Sequence, residues 1–154
     1  MSTALTSRVD RHSPAFLDNA TAFEGLLEAL ATQQGLARGG GGEKAIDRHH
    51  SRGRLLAHER IDLLLDEDAP FLEFSTAAAW GTDFQVGASV VTGIGVVSGV
   101  ECIVIAHDPT VRAGASNPHT WKKVLRAMQI ARENRLPVIN LVESAGGDLP
   151  SQAE

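Results

Sequence analysis

The chain has 154 residues, 43% of them hydrophobic, which is enough for one globular domain with a core. Its net charge is −5 and its basic residues are scattered, so no positive electrostatic field attracts nucleic acid, which we exclude as a partner. The chain lacks the run of about 18 apolar residues that crosses a bilayer. Its first residues lack the apolar central segment of a signal peptide. Cys102 is its single cysteine. The sequence therefore predicts a cytoplasmic protein without a membrane partner or a disulfide.

The N-terminal part predicts a loose arm followed by a long helix. Residues 1–12 are polar and aperiodic, as is typical of a disordered arm. Ser13–Pro14 predicts a helix start. The serine hydroxyl can accept an N–H of the first turn, and the N–H that proline lacks would have no partner at the first helical position. An apolar stripe then predicts a helix that ends near Gln34–Gly35, with one face against the body of the protein or a neighbouring subunit. The stripe consists of Phe16, Ala20, Phe23, Leu27 and Leu30.

The rest of the first 66 residues predicts short helices. The run Gly39–Gly42 is interpreted as a flexible joint inside a helical region of residues 13–66. Two short helices are expected between residues 43 and 66, interrupted at Ser51–Gly53. His49, His50 and His58 have no accompanying ligands at metal-binding spacing, so no metal site is predicted.

The middle of the chain predicts strands. Phe71–Phe74 alternates like a short strand, and residues 90–97 and 103–105 are rich in β-branched residues on either side of a turn at Ser98–Gly99. This pattern indicates a hairpin or two neighbouring buried strands. Cys102 is interpreted as a small buried strand residue.

The last third predicts a βαβ unit. Asn117–Pro118 starts a helix that runs to about Arg135, and Trp121, Leu125 and Met128 form its apolar stripe. Lys122 and Lys123 are assigned to its solvated face. The helix leads into an apolar run at Val138–Val142, which lies between Pro137 and a turn of small residues. This pattern is typical of a buried strand. In a parallel unit, the loops of residues 109–117 and 144–150 should lie at the same edge of the sheet.

The turn Ser144–Gly147 is the best candidate site in the sequence. Small residues after a strand leave backbone N–H groups uncovered, so they can stabilise a developing oxyanion. Ser144 is a poor nucleophile candidate because Val142 replaces the first glycine of a GxSxG elbow. Glu143 could be a base or a structural acceptor. The substrate that suits such a turn is a carbonyl that becomes enolate-like, as in a thioester.

Several segments carry a family resemblance in colinear order. They are GRLLAHERIDLLL at Gly53–Leu65, the run Val91–His107, the block Asp108–Pro118, the helix end AREN with RLP, and LVESAGGDLPSQ. Together they resemble the N-terminal half of the β-subunit carboxyltransferases of biotin-dependent acyl-CoA carboxylases. The LP–Q ending is most similar to the methylcrotonyl-CoA carboxylase branch. The likeness covers most of residues 39–154.

This resemblance implies an α/β fold of crotonase-like type, a superhelix of β-β-α turns, here incomplete and preceded by the helical arm. Residues 67–154 would be a truncated N-domain. The turn residues Ala145, Gly146 and Gly147 would form the oxyanion hole, with alanine where the family commonly has glycine. Arg112, Ala113 and Gly114 stand where the family has Lys–Gly–Gly beside the acyl-CoA.

The resemblance also implies partners and a reaction. Carbon dioxide would arrive as carboxybiotin on a separate carrier subunit and be added to an acyl-CoA. The expected partners are acyl-CoA, a biotin carboxylase or carrier subunit, and the remaining carboxyltransferase half or a second copy. No metal is expected, and the 154 residues alone should be inactive. Two other functions stay open: a related crotonase-type decarboxylase, and a docking module that uses the Ser13–Gln34 helix and the basic crossover helix.

Overall fold

The computed structural model describes residues 7–151, which form four helices and a four-stranded sheet. Its elements in chain order are α1 (Pro14–Arg38), α2 (Glu43–His50), α3 (Ala57–Leu64), β1 (Leu72–Glu73), β2 (Val90–Val97), β3 (Val100–His107), α4 (Pro118–Asn134) and β4 (Val138–Leu141), with 3-10 turns at Arg112–Gly114 and Leu149–Ser151. Part of the predicted arm, residues 1–6, lies outside the described residues, as do residues 152–154. No helix within residues 7–151 combines the length and the apolar character needed to cross a membrane.

The chain divides into two compact units between Thr32 and Gln33. The first unit contains most of α1, a helix in which no residue is buried. α1 ends at Arg38, one turn beyond the predicted end, and the N–H of Gly39 still bonds the carbonyl of Gly35 at 3.0 Å. The second unit contains α2, α3, α4 and the sheet, so the two short helices belong to the same body as the strands.

The glycine run Gly39–Gly42 joins α1 to α2 and also makes a close contact with the loop after β3. Its flexibility stays a prediction. The N–H of Gly41 donates to Thr110 Oγ1 at 3.0 Å, and a Cβ on Gly41 would overlap the Thr110 carbonyl. Gly40 has a φ of 50°, and its Cβ would come within 2.6 Å of an Asp108 carboxylate oxygen. Glycine is needed here because two main chains approach each other without room for a side chain.

The hairpin β2–β3 is confirmed. Val97 pairs with Val100, and the two residues between them, Ser98 and Gly99, have φ angles of 51° and 76°. Two left-handed residues in a two-residue loop are typical of a type I′ turn, whose twist matches that of a hairpin. The first strand is shorter than predicted, since only Leu72–Glu73 pairs with β2.

β4 pairs in parallel with β3 across α4, as the βαβ pattern predicts, while the other strand pairs are antiparallel. The predicted helix start is also confirmed, because Asn117 Oδ1 accepts the N–H groups of His119 and Thr120 at 2.9 and 3.0 Å. β4 is half-buried rather than fully buried, and Val142 beyond it is 68% exposed. The reason is that β4 forms the last strand of the described sheet, with a partner on one side only.

The core lies on both faces of the sheet. α3 covers one face, whose buried residues are Ala57, Ile61, Val91, Cys102, Val104 and Ala106. α4 covers the other face, whose buried residues are Val90, Ile103, Ile105, Ala127 and Ala131. The prediction of a buried Cys102 is confirmed, at 2% exposure.

The face of α4 that packs on the sheet differs from the predicted one. Lys123 is 3% exposed, and its Nζ donates to the carbonyls of Gly87 at 3.2 Å and Val90 at 2.7 Å. Burial lowers the pKa of Lys123 to about 8, against a smaller opposite effect of Glu73. The solvated-face prediction is confirmed for Lys122 and wrong for Lys123.

The apolar stripe of α4 faces outward. Trp121, Leu125 and Met128 are 57%, 65% and 47% exposed. The inward positions include Ala127 and Ala131, whose small side chains let the helix lie close to the strands. Periodicity located the stripe correctly, but it could not tell which side of the helix the sheet would occupy.

Candidate functional site

The two candidate loops meet at one edge of the sheet. They follow the neighbouring parallel strands β3 and β4, so their starting points lie side by side. A short bridge joins them, since the N–H of Ser116 donates to the carbonyl of Gly146 and the N–H of Asp148 donates to the carbonyl of Ser116, both at 2.8 Å. The prediction that both loops share an edge is confirmed.

Gly114 is the point of closest approach between the loops. Ser144 Oγ donates to the Gly114 carbonyl at 2.7 Å. A Cβ on Gly114 would overlap the carbonyl oxygen of Glu143, and the φ of Gly114 is 70°. Both the space and the backbone conformation therefore require glycine at this position.

The turn that precedes this contact is left-handed over three residues. Arg112, Ala113 and Gly114 have φ angles of 47°, 55° and 70°. Left-handed geometry costs roughly 1–2 kcal/mol for each residue that carries a Cβ. Tertiary contacts must therefore hold Arg112 and Ala113 in place, and such strained turns are found mostly at functional sites.

Arg112 forms an ion pair with Asp148 across the two loops, at 2.5 Å. The Asp148 side chain is 8% exposed, whereas that of Arg112 is 60% exposed. The pair adds a charged side-chain link between the two loops. The assignment of Arg112, Ala113 and Gly114 to acyl-CoA binding stays a prediction.

The N–H groups of the predicted oxyanion hole differ in their bonding. The N–H of Ala145 donates to the Ala113 carbonyl at 3.0 Å, and that of Gly146 donates to Ser144 Oγ at 3.1 Å. No hydrogen bond recorded among residues 7–151 uses the N–H of Gly147. The oxyanion role of Ala145, Gly146 and Gly147 also stays a prediction.

Two arginines that the sequence did not single out reach this edge. Arg54 Nη1 donates to Glu143 Oε1 at 3.0 Å, and Arg60 Nη1 lies 3.8 Å from the other carboxylate oxygen. Arg60 also donates to the carbonyls of His107 and, at 3.4 Å, Leu141, which end β3 and β4. Glu143 is thus a structural acceptor for two cations, which favours that interpretation over its use as a base.

His107 lies beside Arg60 at this edge. Burial and the neighbouring cation both lower the pKa of His107. Its Nδ1 and the Nε of Arg60 are the two buried side-chain atoms within the described residues that lack a hydrogen-bond partner. Both effects disfavour a positive charge on His107 at an edge that already carries several arginines.

A cleft of about 290 Å³ opens at this edge. The end of α2 and the segment after it contribute Arg48, His49, Arg52 and Arg54 to its lining. The two loops contribute Pro109, Thr110, Ala113, Glu143, Ser144 and Ala145. Arginine guanidinium groups suit phosphate oxygens, and backbone N–H groups of a small-residue turn suit a carbonyl oxygen. The cleft therefore combines several arginines with the first part of the predicted oxyanion turn.

The histidines of the N-terminal half have structural partners. His49 is buried and its Nε2 lies 3.1 Å from the Leu55 carbonyl. His50 pairs with Glu59 at 3.0 Å, and the hydrogen bonds of Glu59 lower its pKa, the one from the Leu56 N–H contributing most. Within residues 7–151, no cluster of three His, Cys, Asp or Glu side chains could hold a metal ion.

Comparison with known proteins supports the resemblance. Residues 48–154 match the family model described as the carboxyl transferase domain. The chain is 55% identical over 150 residues to a probable biotin-dependent acyl-coenzyme A carboxylase beta2 subunit of Mycobacterium tuberculosis, covering 97% of this chain and 28% of that protein. It is 48% identical over 153 residues to a probable mitochondrial methylcrotonoyl-CoA carboxylase beta chain of Drosophila melanogaster, covering 97% and 26%.

A solved structure gives the same result for the fold. The beta subunit of P. aeruginosa geranyl-CoA carboxylase superposes with a TM-score of 0.72 at 34% identity, covering 98% of this chain and 29% of that one. The predicted crotonase-like α/β fold is confirmed. The chain spans little more than a quarter of the length of these relatives.

Proposed function

The chain belongs to the carboxyl transferase domain family, and on that premise we propose that it is the acyl-CoA-binding part of a biotin-dependent acyl-CoA carboxyltransferase. Such an enzyme moves the carboxyl group of carboxybiotin to the α- or γ-carbon of an acyl-CoA. The observation that carries the proposal is the cleft, because arginines and the first residues of the oxyanion turn, Ser144 and Ala145, line the same space.

The arginines of the cleft are assigned to the phosphates of coenzyme A. Arg48, Arg52 and Arg54 line the cleft, and Arg54 is also paired with Glu143. Arg48 and Arg52 form no ion pair among the described residues, so their guanidinium groups can each bond a phosphate in a bidentate manner. Arg112 is the remaining candidate cation, but binding a phosphate would require it to share or leave Asp148.

The turn is assigned to the thioester oxygen. Its N–H donors would stabilise the negative charge that develops when the acyl group becomes an enolate. Gly147 can donate without breaking another bond, although it is not among the residues that line the cleft. Ala145, which lines the cleft, and Gly146 must first exchange their present acceptors. The alanine is compatible with the turn, since Gly146 has a φ of 100° and Ala145 is not among the left-handed residues.

Carboxybiotin, carried by a separate subunit, would supply the carboxyl group. The donor groups of the described cleft fit an acyl thioester, and no residue of this chain is assigned to biotin. We propose a biotin carboxylase or carrier subunit, the remaining carboxyltransferase half and further copies as partners, and a cytoplasmic location. Turnover should need these partners, so binding is the activity to measure in this chain.

Isothermal titration calorimetry tests the proposal. Coenzyme A and its propionyl, 3-methylcrotonyl and geranyl thioesters should bind with sub-millimolar affinity, and dephospho-coenzyme A should bind more weakly. Arg52→Gln should weaken binding by about tenfold, because one charged hydrogen bond contributes roughly 1.5–3 kcal/mol. Arg132→Gln is the matched control, since it removes an exposed charge on α4 and should leave affinity unchanged.

Three results would contradict the proposal. They are no heat of binding at millimolar thioester, equal loss in the two arginine variants, and equal affinity for coenzyme A and its dephospho form. Addition of the partner subunits tests the reaction itself, because carboxylated product should appear only when biotin is present. Turnover without biotin would instead favour the crotonase-type decarboxylase.

A further inference from the structure

Arg60 of α3 reaches the ends of two neighbouring strands at once. Its guanidinium group donates to the carbonyl of His107, the last residue of β3, and at 3.4 Å to that of Leu141, the last residue of β4. Its Nη1 atom also lies 3.8 Å from a carboxylate oxygen of Glu143, two residues beyond β4. One side chain therefore contacts the main chain at the points where both loops of the candidate site begin.

The packing of α3 fixes the base of this side chain. Ala57 and Ile61, on the same helix, are buried in the core against the sheet, and the Arg60 side chain itself is 18% exposed. A guanidinium group is a planar fork of N–H donors, so two of its nitrogen atoms can hold two carbonyl groups at a set separation. Arg60 can therefore fix the spacing between the two strand ends.

Stability alone does not account for an arginine at this position. The Nε of Arg60 is buried and has no hydrogen-bond partner within the part of the chain that the structure describes. A buried donor without a partner destabilises a fold, and so does the removal of a guanidinium charge from water. An apolar side chain could fill the same space without either penalty. A role other than packing is therefore needed to explain the arginine.

We propose that Arg60 is a positioning residue that holds β3 and β4 at the separation at which the loop of residues 109–117 bonds the turn Ser144–Gly147. The bonds concerned join main chains, as where the N–H of Ala145 donates to the Ala113 carbonyl at 3.0 Å, so they depend on the distance between the strand ends. Arg60 does not line the cleft and acts through the loops. Its effect on ligand binding rests on the proposed function.

Hydrogen exchange of single amides, measured by NMR in the full 154-residue chain, tests the positioning directly. Arg60→Gln should speed exchange at the N–H groups of Ser116 and Ala145 by about thirtyfold, because charged hydrogen bonds to both strand ends are lost. The N–H of Ile103 bonds the Pro137 carbonyl at the other end of the same strand pair and should exchange at the wild-type rate. A general loss of stability would speed exchange at all three amides together.

Two further variants identify which property of Arg60 matters. Arg60→Lys keeps the charge but loses the fork, so the loop amides should exchange about fivefold faster than in wild type. This variant also provides the test if Arg60→Gln does not fold, which circular dichroism would show. Arg54→Gln is the matched control, since it removes the other, more exposed arginine from Glu143 and leaves both strand-end carbonyls bonded. It should change the same exchange rates by less than about twofold.

Calorimetry separates the role of Arg60 from the proposed function. Arg60→Lys should bind propionyl-CoA about fivefold more weakly than wild type, because the turn that accepts the thioester oxygen is displaced. Coenzyme A lacks the thioester and should lose less than about twofold in affinity, whereas Arg54→Gln should weaken both ligands alike. A wild-type chain that binds neither ligand would contradict the proposed function, and the exchange rates would still decide the role of Arg60.

Four results would overturn the positioning role. They are wild-type exchange of the Ser116 and Ala145 amides in Arg60→Gln, equal acceleration at Ile103, the same acceleration in Arg54→Gln, and wild-type exchange of the loop amides in Arg60→Lys. An equal loss of affinity for propionyl-CoA and coenzyme A in Arg60→Lys would also contradict it.

Discussion

The two candidate loops are joined by their main chains, whereas α4 is joined to the sheet by side chains. In the loop clasp, formed by residues 112–116 and 143–148, most links are backbone hydrogen bonds around Gly114. In the α4 anchor, formed by Ser89, Thr120 and Lys123, buried polar side chains donate to the main-chain carbonyls of Ala115, Ala88 and Val90. A clasp made from backbone can keep its shape when side chains change, while the anchor depends on each side chain. Substitutions that affect the main chain should therefore matter most in the loop clasp, and substitutions of single side chains should matter most in the α4 anchor.

The largest effect is expected from Gly114→Ala in the loop clasp. The added methyl group would overlap the Glu143 carbonyl and force a Cβ into left-handed geometry. Overpacking and backbone strain together should lower the free energy of unfolding by about 4 kcal/mol. Urea denaturation followed by circular dichroism measures this loss. Ala113→Gly in the same turn is the control and should not destabilise; a loss under 1 kcal/mol for Gly114→Ala would break the comparison.

The second effect is a pH dependence that comes from Lys123. The pKa of Lys123 is lowered to about 8 in the folded chain, from 10.5 for a free side chain. Between these values the unfolded chain binds more protons, so stability rises with pH, by roughly 3 kcal/mol from pH 8 to pH 10.5. Below pH 8 the full penalty of the buried charge is present. Urea denaturation at several pH values should show this rise in wild type and lose it in Lys123→Met, and parallel pH profiles would contradict it.

Thr120→Val tests the α4 anchor without changing the charge of the protein. Thr120 Oγ1 donates to the Ala88 carbonyl at 2.6 Å and accepts the N–H of Asn117 at 3.2 Å. The valine has a similar shape but leaves both groups unpaired, so the free energy of unfolding should fall by about 2 kcal/mol. Thr21→Val, at an exposed position of α1, should change it by less than about 0.5 kcal/mol. Equal values for the two variants in thermal or urea denaturation would show that the hydroxyl is not an anchor.

The smallest effect is expected from Ser144→Ala. This variant removes the bond from Ser144 Oγ to the Gly114 carbonyl and the bond from the Gly146 N–H to Ser144 Oγ, but it leaves the main-chain bonds of Ala145 and Ser116 in place. The free energy of unfolding should fall by only about 1 kcal/mol, because neither bond is fully buried and water can replace the lost hydroxyl. Urea denaturation and thioester calorimetry check this together. A loss as large as that of Gly114→Ala would mean that side chains, rather than main chain, hold the clasp.

The sequence predicted much of the fold because local signals were strong. The Asn117–Pro118 start of α4, the Ser98–Gly99 turn and the adjacent positions of the two loops follow from chemistry within a few residues of each feature. The family and its crotonase-like fold also followed from colinear motifs, and comparison confirmed them.

The site was predicted only in part. Its loops were predicted, but the arginines that line the cleft with them were not, because Arg54 reaches Glu143 across 89 positions in the chain. The role of the glycine run was missed for the same reason, since its partner Thr110 is 69 positions away from Gly41. A local sequence pattern carries no information about contacts between residues so far apart in the chain.

Local sequence signals specify which elements form, their order and the edge of the sheet at which the loops lie, because hydrophobic period, caps and turn residues act over short distances. Packing between distant segments sets which face of α4 turns inward, buries Lys123, and brings Gly41 and Gly114 against the main chain of another segment. These outcomes depend on which surfaces come into contact and on the space left between them. They arise only when distant segments pack together.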